Sequence, residues 1–126
     1  MATKTKKIDA HLFAKLDRLK EKYQLLYIKL WASCDNAGIL TFDQVKVIAR
    51  TLDMILMYPY DIPKFNDLVM VQDYTIILTD YISVNYGAEL KASYNPHSKA
   101  WKCIELNGLE YAKESNQVIF PKKRFY

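Results

Sequence analysis

The feature that most constrains this chain is an apolar stripe over residues 16–40. Leu16, Leu19, Tyr23, Leu26, Leu30 and Cys34 recur at steps of three and four residues, a spacing that places them on one face of a helix. Tyr27 and Trp31 lie beside the stripe, and Lys15, Arg18, Lys22 and Lys29 occupy the opposite, water-facing side. No Gly or Pro interrupts the run before Asp35-Asn36-Ala37-Gly38, where Gly38 can take the positive φ that closes a helix. A rod of this length forms a wall against which the remaining elements must pack.

Thr41-Phe42-Asp43-Gln44 has the form of a capping box. It opens a second helix whose stripe is Val45, Ile48, Ala49 and Leu52, running to about Leu52 or Ile55. Pro59 disfavours a helical Tyr58 and breaks it. Asp61 is placed to cap a third, short helix with Pro63 in its first turn, burying Phe65, Leu68 and Val69. Residues 41–69 thus read as a helix-turn-helix. Val69-Met70-Val71 and Thr75-Ile76-Ile77-Leu78 flank Gln72-Asp73-Tyr74 as a hairpin, or wing, and Ile39–Phe42 can add a third strand. Thr79 then caps a short helix ending at Gly87. A further helix starts with Asn95 as its cap and Pro96 as its first residue, and closes at Asn107-Gly108. Residues 117–120 read as extended. The fold class is mainly α with a small β-sheet (α+β): a winged helix-turn-helix with extra C-terminal helices over residues 9–109. A basic, frayed arm (1–8) precedes it and a basic tail (110–126) follows.

The length of 126 residues suits one domain with a real core. No run approaches the ~18 apolar residues of a membrane span. No apolar segment of a secretion signal follows the Lys-rich N-terminus, so a cytoplasmic protein is expected. Cys34 and Cys103 fall on predicted helices in apolar surroundings, and two reduced, buried thiols are favoured over a disulfide or a metal pair. The Cys34 thiol sits at a helix C-terminus, whose partial negative charge opposes thiolate formation. His11 and His97 are the only histidines, and neither has metal-ligand spacing. With no phosphate loop, nucleophile elbow or paired carboxylates, the expectation is a protein that is not an enzyme. It has no cofactor, no metal and no small-molecule substrate. Of the ten tyrosines, Tyr23, Tyr27, Tyr81 and Tyr86 read as core or half-buried. Tyr58, Tyr60, Tyr74, Tyr94 and Tyr126 fall on turns or tails, where stacking on unpaired bases is the alternative to half-burial.

Two passages resemble a known family. Residues 25–40, LLYIKLWASCDNAGIL, are similar to the L-x-x-x-L-W-x-x-x-D-x-x-G segment near the start of phage replication proteins. Residues 77–90, ILTDYISVNYGAEL, with Asn95-Pro96-His97 and Leu106-Asn107-Gly108-Leu109, resemble a later segment of the same proteins. These are replisome-organiser or DnaD-like primosomal proteins whose N-terminal domain is a winged helix. The resemblance implies DNA binding in phage-type replication initiation.

In the usual docking mode the helix over residues 61–69 enters the major groove. Lys64 and Asn66 then face bases, and Lys46 and Arg50 touch phosphate. Lys4, Lys6, Lys7, Lys122, Lys123 and Arg124 add salt-dependent affinity. Charge is segregated: residues 1–29 hold eight Lys/Arg against three acids, residues 30–90 three against eight, and residues 91–126 seven against three. The acidic middle favours an alternative, a protein-interaction module that self-associates or docks a replicative helicase or loader, with apolar residues over 54–60 as the contact.

Overall fold

The computed structural model describes residues 6–121. The stripe forms two helices rather than one rod: α1 (Ala10–Leu16), capped by the Asp9 carboxylate on the Leu12 amide, and α2 (Glu21–Ser33). Between them Arg18 and Leu19 donate to the Lys15 and Leu16 carbonyls, and Lys20 is extended. The Gln24 side-chain amide closes the break on the Leu19 carbonyl at 2.8 Å. The turn keeps Leu12, Leu16 and Leu19 all buried. The apolar spacing survives a change of direction and therefore conceals it.

α2 ends at the Asp35–Gly38 turn. The Asp35 carboxylate accepts from the amides of Ala37 and Ile39, and Gly38 has φ +80. β1 (Ile39–Thr41) leads into α3 (Phe42–Arg50) through the expected capping box: Gln44 N donates to Thr41 Oγ1 and Thr41 N to Gln44 Oε1. β2 (Val69–Gln72) and β3 (Thr75–Leu78) form the wing, turning at Asp73 and Tyr74, both at positive φ. Two successive positive-φ residues match the right-handed twist of the flanking strands. The antiparallel sheet has the order β1-β3-β2, with Ile39 opposite Ile77 and Val69 opposite Leu78. Helix, strand, helix, then a hairpin whose second strand lies between the other two is the connectivity of a winged helix.

Both faces of this sheet are buried. Leu40, Ile76, Leu78 and Val69 join the main core around Tyr27, Trp31 and Phe65. Ile39 and Ile77, with Met70 beside them, face a second cluster built by the C-terminal segment. That segment comprises α4 (Tyr81–Tyr86), a 3-10 turn over Asn95–His97, α5 (Ser98–Leu106), β4 (Glu110–Ala112) and β5 (Gln117–Ile119). The alternation of strand side chains dictates the division.

Several expectations are corrected. α3 stops at Arg50, and residues 51–61 form an irregular connection instead of a tight turn. The expected third helix is a pair of 3-10 turns over Ile62–Leu68, broken at Asn66 (φ 55, ψ −137). Asp61 makes no side-chain cap there, because its carboxylate accepts from the Met57 amide instead. Thr79 donates to the Asp67 carbonyl rather than capping α4. The helix expected from Asn95 is α-helical only from Ser98. Residues 110–119 are a folded hairpin with Val118 buried, so the tail does not begin at 110.

Gly38→Ala is expected to cost about 3 kcal/mol, from left-handed strain plus overpacking, because the new Cβ would lie 2.5 Å from Tyr81 Cβ. Urea denaturation followed by circular dichroism measures this.

Candidate functional site

The face that reads DNA in a winged helix is assembled here from the turns over Ile62–Leu68 and the tip of the wing. Pro63 cannot donate a backbone hydrogen bond, and the positive φ at Asn66 ends any helical repeat. Lys64 and Asn66 are both exposed, but they do not project from a common helix. The Lys64 ammonium lies 2.9 Å from the Asp61 carboxylate and 5.7 Å from the centre of the Tyr23 ring. The Met57 amide and Lys64 together hold the Asp61 carboxyl below its ordinary pKa, so Asp61 stays charged beside Lys64. Asp67 and Asp73 stand exposed on the same segment and at the wing tip. Lys64 is thus paired with one carboxylate, and two more exposed acids stand on this segment and the wing tip, a balance that disfavours phosphate.

Lys46 and Arg50 lie on α3, half-buried and exposed respectively, and neither enters an ion pair among the described residues. Lys6 is not a free cation. Its ammonium donates to the carbonyls of Trp31 (3.2 Å) and Cys34, sits 3.5 Å from Cys34 Sγ, and lies over the Tyr81 ring. It thus satisfies the C-terminal carbonyls of α2, where a cation is favoured. The Lys7 side chain is exposed, yet its backbone is fastened: its amide donates to Asn85 Oδ1 and its carbonyl accepts from Trp31 Nε1 at 2.9 Å. The arm expected to be frayed is docked at these two residues. Lys4, Lys122, Lys123 and Arg124 lie outside the described residues.

Several large apolar side chains of α3, the connection after it and the wing tip are exposed. Val47 projects from the outer face of α3 and is 64% exposed, and Ile55 in the following connection is 89% exposed. Met57, Tyr60 and Tyr74 are also mostly exposed. The connection alternates, with Met54 and Leu56 buried and Ile55 and Met57 outward. It starts at the C-terminal end of α3, where the Met54 amide donates to the Ala49 carbonyl. It passes the wing where Tyr58 stacks on Tyr74 at 4.1 Å and meets Phe42 edge-on at 5.0 Å. An open groove of about 360 Å³ runs along α3, lined by Ser33, Leu40, Asp43, Gln44, Val47 and Ile48. Val47 escapes sequence reasoning because it stands off the buried stripe of Val45 and Ala49. Its only signal is an apolar side chain on the polar side of an amphipathic helix.

Among the described residues no group of His, Cys, Asp and Glu could hold a metal ion. Both cysteines are free. Burial, only partly opposed by Lys6, pushes the Cys34 thiol up to about 11, which leaves it a neutral packing group at ordinary pH. Among the described residues no helix is long and apolar enough to cross a membrane. Comparison with family models, with curated proteins and with solved structures finds no match.

Because the Cys34 thiol ionises near its ordinary value of 9.0 when unfolded but near 11 when folded, the unfolded chain binds fewer protons between those values. Stability should then fall as pH rises through that window. Half-buried Tyr86, raised to about 12, adds to the loss at the upper end of that range. Urea midpoints at pH 8, 9 and 10 should decline progressively, and Cys34→Ala should flatten the step between 9 and 10.

Proposed function

We propose that this chain is a non-catalytic, cytoplasmic winged-helix docking domain of a phage-type replication-initiation assembly, engaging protein rather than base edges. The replication context rests on the resemblance in residues 25–40 and 77–109. The observation that carries the docking role is the contrast between two surfaces. The position of a recognition helix holds 3-10 turns with Lys64 tied to Asp61. On α3, the following connection and the wing tip, Val47, Ile55, Met57, Tyr60 and Tyr74 leave large side chains in water. A cluster of exposed apolar groups with a polar surround marks a protein contact. The partners implied are a replicative helicase or its loader, or a second copy of the chain.

Lys46 and Arg50, unpaired among the described residues, favour a second and weaker activity: sequence-independent DNA contact assisted by the terminal lysines. That contact would be electrostatic, with log affinity falling by about 0.9 per phosphate for each tenfold rise in salt.

Gel-shift titrations of duplex DNA at two salt concentrations test the division of labour. Lys64→Ala and Asn66→Ala are expected to change affinity by less than about threefold on any sequence, whereas Lys46→Ala/Arg50→Ala lowers the salt slope by about 2. A sequence-selective loss of tenfold or more with Asn66→Ala would restore base reading and overturn the proposal. In a binding assay against the helicase or loader, Ile55→Asp should weaken capture at least about tenfold.

A further inference from the structure

The outer face of α3 carries a pattern that is complementary to itself. Asp43, Val47 and Arg50 are exposed and spaced by four and three residues, so they form one stripe along the helix. At 1.5 Å per residue, Asp43 lies about 6 Å before Val47 and Arg50 about 4.5 Å after it. A two-fold axis through Val47 therefore lays Val47 on its symmetry mate and brings Asp43 opposite the symmetry-related Arg50, twice. Neither Asp43 nor Arg50 has an ion-pair partner within its own chain among the described residues. Lys46, one residue along, is half-buried, as expected when its methylene stem lies on the surface. The ends of the stripe are apolar. Ile55 and Arg50 border one concavity at the C-terminal end. Tyr74 sits at the N-terminal end, where its carbonyl accepts from the Phe42 amide.

We infer that the partner of this face is a second copy of the chain, joined by antiparallel α3–α3 packing about a two-fold axis. The inference rests on the docking reading and commits it to one occupant. Charge complementarity selects the copy. Asp43 weakens this face as a phosphate site and Arg50 repels a basic segment; the Lys46 and Arg50 contact to DNA belongs to the monomer and competes with pairing of Arg50 to the symmetry-related Asp43. Two charges of opposite sign, set at nearly equal distances from an apolar centre, match their own image after a half turn. An isologous contact has this property by symmetry.

Sedimentation velocity of the full chain over a range of concentrations tests it, with circular dichroism confirming that each variant is folded. The wild-type protein should pass from monomer to dimer as concentration rises. Asp43→Arg sets two arginines against each other at both symmetric positions, and Arg50→Asp does the same with carboxylates. Each should raise the dimer dissociation constant at least about tenfold, since like charges placed face to face are strongly unfavourable. The double variant Asp43→Arg/Arg50→Asp restores the pairing with signs exchanged, and should return to within about threefold of wild type. Val47→Asp, which puts two carboxylates on the axis, should leave a monomer.

A wild-type chain that stays monomeric at every concentration overturns the inference. So does a dimer indifferent to the single charge reversals, or one that the double variant fails to restore. Capture of the helicase or loader, measured on the same Asp43→Arg and Ile55→Asp proteins, separates the two claims. A monomer whose capture still depends on Ile55 removes only the second copy. A chain that neither self-associates nor captures removes the docking reading as well.

Discussion

Tyr27 and Trp31 on α2 hold the structure together. Both are essentially without solvent exposure, and each spends its one polar atom on a distant part of the chain. Tyr27 donates its hydroxyl to the Leu68 carbonyl at 3.2 Å, where the 3-10 turns pass into the wing. Trp31 donates its indole N–H to the Lys7 carbonyl and packs against the Tyr81 ring at 5.0 Å. Two neighbouring rings thus fix the N-terminal segment, the exit into β2 and the start of α4. Burial of such rings supplies much of the apolar stabilisation of a small domain, and their polar atoms must find partners once inside. The Tyr27 hydroxyl is pushed well above its usual pKa by this burial.

How much of this was legible in the sequence depended on whether the signal was local. The capping box at Thr41 and Gln44, the turn at Gly38 and the hairpin around Asp73 are written in adjacent residues, and each is found where it was read. The helix expected over residues 61–69 is absent for a physical reason. Asp61, Pro63 and the apolar spacing of Phe65 and Leu68 are compatible with a helix start, but such a pattern does not distinguish a tight 3-10 turn from an α-turn. The positive φ at Asn66, with ψ −137, is a tertiary outcome that no local sequence pattern announces. The break at Lys20 was hidden because the turn preserves the three- and four-residue recurrence of leucines.

The candidate site was legible only in part. Residues 54–60 read as exposed and apolar; Ile55 and Met57 are exposed, while Met54 and Leu56 turn inward. A run of apolar residues reveals hydrophobicity, and only the backbone path decides which alternate members reach water. Lys6 shows the converse limit. A lysine near a chain end reads as a solvated charge, yet here it lies against helix carbonyls, a thiol and a ring. Local composition carries no trace of that destination.

The two-sided burial of the small sheet bears on how the chain comes apart. Ile39 and Ile77 depend on Ile82, Leu90, Ala100, Ile104 and Val118 for shelter, while their neighbours Leu40, Ile76 and Leu78 depend on α2 and α3. The strands are shared property of both halves. Loss of either half would wet a surface the other half needs dry, so melting should be a single concerted event. The residues after the wing thereby act as a keystone in the winged-helix body and could not be shed as an appendage.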